Sequence, residues 1–230
     1  MPGDAAPVVK IGLIAPFEGA GRPLGYAVLP AVKIALAEAN TSGELGRYRV
    51  ALVALNDDLG PRSAADQAKA LAQDPDVLAA LGPWSRETIA TAAPLLSQAG
   101  IPALVAAPLA NPPAGVFSLC PSTPEPETSL LTENGFLVGL AAEGTRAPLC
   151  APVAEHPAGF AAAYQARTGA TPGPDAFLAY AGARAILQAL ARDVAAAGRP
   201  TRGGVTAALG AYPVETRLVW YRVENGRWVK

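Results

Sequence analysis

The chain has 230 residues, of which 51% are hydrophobic and 16% are charged, with a formal net charge of -1. This composition predicts a globular protein with a sizeable core, in one large domain or two small ones. The near-neutral charge and the lack of a lysine or arginine block argue against a nucleic acid or a membrane surface as partner, and no apolar run reaches the roughly 18 residues of a membrane-spanning helix. The start, MPGDAAPVVK, does not resemble a secretion signal, so we expect the leader of an exported protein to be absent from this chain.

The first half of the sequence alternates short apolar runs with segments of helical periodicity. The apolar runs predict strands at residues 8–15, 48–57, 77–82, 101–107 and 116–120. The segments between them predict helices that end near Asn40 and that span residues 63–73 and 87–98. Regular alternation of this kind builds right-handed βαβ units. The predicted fold class is therefore α/β, with a doubly wound, mostly parallel sheet.

The pattern changes at residue 121. Residues 121–155 are rich in proline and contain one strand-like stretch, GFLVGLAA, which indicates an irregular connection with at most one hairpin or βα element. Helical periodicity resumes at residues 157–167 and 175–198. The last residues alternate around Asn225-Gly226, which predicts a C-terminal β-hairpin.

Two cysteines, Cys120 and Cys150, permit one disulfide bond. A disulfide would fit an oxidising compartment, whereas two buried thiols would fit a reducing one. The sequence leaves both interpretations open.

A glycine-rich loop follows the first predicted strand. Gly19, Gly21 and Gly25 are spaced one residue too widely for a dinucleotide-binding loop, and Glu18 would repel a phosphate. The sequence therefore predicts no nucleotide cofactor. We interpret the loop as a contact for another kind of ligand, with Glu18 and Arg22 as its nearest polar groups.

Three loops are expected to meet at the carboxyl edge of the sheet, where ligands of open α/β proteins bind. They are PFEGAGRPLG, GPWSRET and APLANPP. In the second loop, Ser85 is predicted to cap a helix whose first N–H groups, from Arg86 to Thr88, could receive a carboxylate. The competing interpretation is that Ser85 caps the helix and has no other role.

Few residues suggest catalysis. The single histidine, His156, lies in a proline-flanked loop without cysteines or carboxylates at metal-ligand spacing, and no nucleophile-elbow or C-x-x-C motif occurs. Asp57 and Asp58 are neighbours in an extended segment, so they are predicted to be a turn cap or a solvated pair. We predict that the protein is not an enzyme and holds no metal.

Four stretches of the sequence share one pattern of strands, loops and helices with a known family: IGLIAPFEGAGRPLGYAVLPAVKIALAEAN, VALVALNDDLGPRSAADQAKAL, LGPWSRETIATAAPLLSQAGIPALVAAPLANP, and GFAAAYQARTGATPGPDAFLAYAGARAILQAL with the tail YRVENGRWV. In these stretches the sequence resembles the periplasmic solute-binding proteins of branched-chain amino acid transporters, also called type I periplasmic binding proteins. The resemblance implies a periplasmic or extracellular receptor that closes two α/β lobes on an amino acid or similar small molecule and serves an ABC-transporter permease.

The resemblance also implies that one lobe is missing. Residues 1–120 and 156–230 correspond to one discontinuous lobe, whereas residues 121–155 are too few for another, since a single βαβ unit takes about 30 residues. A lone lobe leaves half of its ligand in water. We therefore expect a homodimer, or a pairing with another protein, through a face bearing Leu24, Trp84 and Leu109. The alternative is a degenerate lobe that acts as a protein-interaction or dimerisation module without binding a small molecule.

The ligand residues of that family are only partly matched. Its pair of serines after the third strand corresponds to Ser85 and Arg86, and Arg86 would hold a carboxylate or lie solvated at the surface. Ala110 replaces a threonine that would bind an ammonium group, and Leu24 replaces a tyrosine. Trp84 would pack on an apolar ligand group or fill the space left by the second lobe.

Overall fold

The computed structural model describes residues 6–120, 143–144, 146–153 and 158–229. Its strands are β1 Val8–Ala15, β2 Arg49–Asn56, β3 Val77–Leu81, β4 Ala103–Val105, β5 Val116–Ser118, β6 Arg146–Pro152, β7 Thr216–Glu224 and β8 Arg227–Val229. Its helices are α1 Arg22–Ser42, α2 Pro61–Gln73, α3 Arg86–Gln98, α4 Ala158–Thr168, α5 Pro174–Ala197 and α6 Arg202–Ala211. None of these described helices is both long and apolar enough to cross a bilayer.

Five strands form a parallel sheet in the order β2-β1-β3-β4-β5. Strand β1 lies inside this sheet and pairs with β2 from Val8 opposite Arg49 to Ala15 opposite Asn56. The chain goes from β1 outward to β2 and then returns to place β3 on the other side of β1. This reversal confirms the predicted doubly wound α/β sheet, and it puts the topological switch point between β1 and β3.

The alternating side chains of β1 explain why both faces of the sheet are covered. Ile11 and Leu13 belong to the core cluster that contains the buried residues of α1 and α5. Ile14, on the opposite face, packs in the cluster formed with α2 and α3. Successive strand residues point to opposite faces, so a strand that is apolar at nearly every position must be buried on both.

The C-terminal hairpin is confirmed and belongs to a second sheet. Strands β7 and β8 pair on either side of Asn225 and Gly226, whose φ angles of 53° and 69° are those of the tight turns that suit a hairpin. Strand β6 pairs antiparallel with the other edge of β7, giving the order β6-β7-β8.

Two elements were missed in the sequence. Strand β6 lies within the segment predicted to be irregular, but Pro148 and Pro152 are tolerated there because β6 is an edge strand. Helix α6 was missed because its first half contains two glycines. Its local signals are Thr201, whose side chain accepts the Gly204 N–H at 3.0 Å, and the buried pair Val205 and Leu209.

The disulfide left open by the sequence is formed. Cys120 and Cys150 are joined with their Cα atoms 5.7 Å apart, and the bond ties the chain after β5 to β6 of the second sheet. The stretch GFLVGLAA and His156 lie outside the described residues.

Candidate ligand site at the carboxyl edge of the sheet

The switch point between β1 and β3 brings together the loop after β1 and the loop after β3 at the carboxyl edge. The turn after β2 lies on the other side of the first loop, because β2 is the other neighbour of β1. In open α/β sheets this is where loop residues and helix N-termini surround a ligand. The fold therefore brings two groups of predicted site residues to the carboxyl edge: those after β1 (Glu18, Arg22 and Leu24) and those after β3 (Trp84, Ser85, Arg86 and Thr88).

Asn56, at the end of β2, holds two of these loops together. Its Oδ1 accepts the N–H of Phe17 at 2.7 Å and the N–H of Asp58 at 3.1 Å. Asn56 was not among the predicted site residues. The only sequence signal for it is a polar side chain at the end of an apolar strand.

The first loop is pressed against the start of α1. A Cβ atom on Gly25 would lie 2.0 Å from the carbonyl oxygen of Pro16, so this position requires a glycine for packing rather than for a ligand. Glu18 and Arg22 are both exposed, and the Arg22 guanidinium lies 5.0 Å from the centre of the Tyr26 ring. Their proposed ligand contacts remain predictions.

The turn after β2 contains a buried carboxyl group. Asp57 is fully buried, and its Oδ1 accepts the N–H of Leu59 at 3.2 Å, as expected of a turn cap. Its Oδ2 has no hydrogen-bond partner among the described residues. Burial raises the pKa of Asp57 to about 6. The interpretation of Asp57 and Asp58 as a solvated pair is therefore wrong for Asp57, while Asp58 is exposed.

The loop after β3 buries the indole of Trp84. Gly82 lies beneath it, since a Cβ atom there would be 2.1 Å from the Ile14 carbonyl oxygen and 2.9 Å from the Trp84 Nε1. Trp84 is fully buried, yet its indole N–H has no acceptor among the described residues. A buried donor without a partner costs about 1–3 kcal/mol.

Ser85 caps α3 as predicted. The Thr88 N–H donates to Ser85 Oγ at 3.2 Å, and the Ser85 N–H donates back to Thr88 Oγ1 at 3.3 Å. Thr88 is buried, Ser85 is half-buried and Arg86 is exposed. This reciprocal cap fixes the N-terminus of α3, the positive end of its dipole, beside Trp84.

The structure corrects the face expected to pair with another copy. Leu24 and Trp84 are 1% and 0% exposed and belong to the core cluster around α1 and α5, so neither side chain can present itself to a partner. Trp84 fills space within the lobe. Leu109 is half-buried against the cluster around α2 and α3, and Ala110 is exposed. The face defined by Leu24, Trp84 and Leu109 is therefore not a pairing surface.

Structural comparison finds similar structures that include solute-binding proteins of ABC transporters. The leucine-binding protein LivK of Thermotoga maritima superposes with a TM-score of 0.75 at 16% identity, over 96% of this chain and 97% of that chain. LivJ, the branched-chain amino acid transporter substrate-binding protein of Streptococcus pneumoniae, in complex with isoleucine, gives a TM-score of 0.71 at 15% identity, over 96% and 97%. An ABC-transporter solute-binding protein of R. palustris, in complex with benzoate, gives a TM-score of 0.67 at 16% identity, over 96% of this chain and 95% of that chain.

At these identities the superpositions establish the fold. A comparison with curated proteins finds no match. The sequence model of one family, described as periplasmic binding protein, matches residues 8–152, which is more than half of the chain and includes every loop of the carboxyl edge. The chain therefore belongs to the periplasmic binding protein family.

Proposed function

We propose that this protein is the solute receptor of an ABC transporter, in the periplasm or outside the cell, and that it binds the carboxylate of a small molecule at the loop between β3 and α3. One observation carries the proposal: the indole N–H of Trp84, which has no acceptor among the described residues, lies in the same loop as the N-terminus of α3. Both groups attract an anion, because one is a donor and the other is the positive end of a helix dipole. Because the Trp84 indole is fully buried, binding of the carboxylate requires the loop between β3 and α3 to open.

The proposed solute is an acid, and an ammonium group is not required. Leucine, isoleucine and benzoate, the solutes named for the three similar structures, share a carboxylate, but benzoate has no ammonium group. In this chain Ala110 provides no hydroxyl to an ammonium group. Ser85, in contrast, keeps a hydroxyl beside the proposed carboxylate position. These differences favour a simple carboxylate over an α-amino acid.

The same proposal assigns the remaining parts of the chain. Residues 1–120 and 156–230 form one lobe, residues 121–155 take the place of the second, and the permease of the transporter is the protein partner. We propose that a second copy covers the carboxyl edge, through residues other than Leu24 and Trp84. Binding and release of the solute, without catalysis, is the activity.

The Trp84→Phe variant tests the carboxylate site. It removes the indole N–H and keeps an aromatic ring, so affinity for a carboxylate is expected to fall about 10- to 100-fold, the equivalent of one hydrogen bond to a charged group. Isothermal titration with benzoate, leucine and isoleucine measures this. Trp220→Phe is the matched control, because Trp220 is 57% exposed on β7. Equal affinity in the Trp84→Phe variant and the wild type would contradict the site.

A pair of cap variants separates binding from stability. Ser85→Ala and Thr201→Ala each remove a side-chain oxygen that caps a helix, and each is expected to lower stability by about 1 kcal/mol. Only Ser85→Ala is expected to weaken carboxylate binding, since Thr201 caps α6. If no acid binds the wild type, while light scattering finds a stable dimer, the protein is an interaction module and the receptor proposal is wrong.

A further inference from the structure

A cavity of about 540 Å³ lies beside the first half of α1. Its walls come from α1, from α4, from the connection between α4 and α5, from the first turn of α5 and from β8. None of Asn56, Asp57, Trp84 or Ser85 lines it. Its volume is in the range of small-molecule pockets. It is therefore separate from the site at the carboxyl edge.

The cavity contains a buried carboxyl group without a partner. Asp175, in the first turn of α5, is 3% exposed, and its Oδ2 has no hydrogen-bond partner among the described residues. Burial raises the pKa of Asp175 to about 8. Buried carboxyl groups normally have a partner, so an unpartnered one in the wall of a cavity points to a group that a ligand supplies.

A second unpartnered group lines the same cavity. The indole N–H of Trp228 in β8 is buried, and it too has no acceptor among the described residues. The Tyr164 hydroxyl, also in the wall, donates to the Ala27 carbonyl at 3.0 Å, and one N–H of the Arg227 guanidinium donates to Thr171 Oγ1 at 3.4 Å. The cavity therefore offers one buried acceptor and one buried donor.

The chemistry of the wall selects the ligand. Asp175 would pair with an ammonium group. The Trp228 N–H needs an acceptor, and the guanidinium groups of Arg167 and Arg227, also in the wall, favour a negatively charged one. A molecule with an ammonium group at one end and a carboxylate at the other satisfies both sets of groups.

We infer that this cavity is a second binding site, for a small amino acid whose ammonium group pairs with Asp175 and whose carboxylate accepts a hydrogen bond from the Trp228 indole, with Arg167 and Arg227 nearby. The site does not depend on the proposed carboxylate site. Its ligand differs in needing an ammonium group, because the Oδ2 of Asp175 has no hydrogen-bond partner among the described residues.

Binding is expected to depend on pH. An ammonium group pairs with the ionised form of Asp175, so binding at pH 7 displaces a proton, and affinity rises as the pH approaches 8. Tyr164 of α4 and Tyr221 of β7 also face Asp175. Burial, and to a lesser degree the Asp175 carboxyl group, raises the pKa of both tyrosines above 10, so they stay neutral in this range. The other charged groups in the wall are Arg167 and Arg227.

Three probes of equal chain length test the inference: 4-aminobutyrate, n-butylamine and butyrate. Titrations use the Trp84→Phe background, in which binding of a carboxylate at the other site is expected to be about 10- to 100-fold weaker. We expect 4-aminobutyrate to bind most tightly, butylamine more weakly, and butyrate not at all. Asp175→Asn is expected to weaken binding of 4-aminobutyrate at least tenfold. The control Asp66→Asn, which removes an exposed carboxylate in α2, is expected to have no effect.

A second measurement does not depend on the Asp175 variant folding well. In the ¹⁵N-labelled protein the indole N–H resonance of Trp228, assigned with Trp228→Phe, is expected to shift on addition of 4-aminobutyrate, whereas that of exposed Trp220 is expected to stay. An unmoved Trp228 resonance, equal binding by Asp175→Asn, or butyrate binding as well as 4-aminobutyrate would each overturn the inference. The receptor proposal fails separately, through the benzoate titrations of Trp84→Phe.

Discussion

Replacing Asp57 by asparagine is expected to raise the free energy of unfolding relative to the wild type, and this difference is expected to increase with pH. Asp57 is fully buried at the end of β2, with Oδ1 bonded to the Leu59 N–H and Oδ2 unpartnered among the described residues. Asparagine has nearly the same shape and keeps the Oδ1 acceptor. It cannot ionise, so the charge that the wild type must bury above its pKa is removed.

The magnitude follows from the pKa of Asp57, which burial raises from its ordinary value of 3.8 to about 6. Because the folded state holds the proton more tightly than the unfolded chain, this group contributes stability below pH 4 and loses it as the pH rises through 6. A shift of about two pKa units corresponds to about 3 kcal/mol. The stability of Asp57→Asn relative to the wild type is therefore expected to increase by about this amount between pH 4 and pH 7.5.

Urea denaturation at a series of pH values measures the difference between the two proteins. Comparing the same pair at each pH cancels the titration of other groups and the fixed cost of burying an amide. A difference that does not change with pH would refute the reasoning. Asp58→Asn is the matched control, because it removes the exposed neighbouring carboxylate; an equal gain there would attribute the effect to net charge rather than to burial.

Three further predictions concern stability. Arg202 donates to three backbone carbonyls at 2.8–3.0 Å, so Arg202→Lys, which cannot span them, is expected to lower the free energy of unfolding by about 1.5–3 kcal/mol in urea denaturation. The Cys120–Cys150 bond spans 30 residues. Its removal in the double serine variant is expected to cost about 2–4 kcal/mol, and added reductant should then affect only the wild type. Gly25→Ala places a methyl group 2.0 Å from a loop carbonyl oxygen and is expected to lower the melting temperature, with a cost of about 1–3 kcal/mol, whereas Gly159→Ala, with open space around it, should not.

Local sequence signals were sufficient for the first sheet and for the α3 cap. Apolar runs with helical segments between them predicted the parallel strands along the chain, because a strand buried on both faces is apolar at almost every position. The Ser85 cap was predictable because it depends on residues within one turn. Strand β6 was not, since its prolines are compatible with a strand only at an edge, and the edge exists only once β7 lies beside it.

Burial at the carboxyl edge required the tertiary structure. Leu24 and Trp84 follow strands and could have faced a ligand or a partner, yet both are in the core, because α1 and the loop after β3 fold back over the sheet. Asp57 was predicted to be a turn cap or one of a solvated pair, and its burial was not predicted. Asn56 holds the first loop against the turn after β2, because its side chain accepts a backbone N–H group from each.

The sequence by itself determined the α/β class, the family resemblance, the cap at Ser85 and the C-terminal hairpin, since each depends on residues close together in the chain. Only the tertiary structure decided the disulfide and the cavity around Asp175. That cavity joins residues of α1, of the connection before α5 and of β8, which are far apart in sequence. No periodicity or motif in the sequence predicts that these residues lie together, because their proximity arises from how the helices pack against the second sheet.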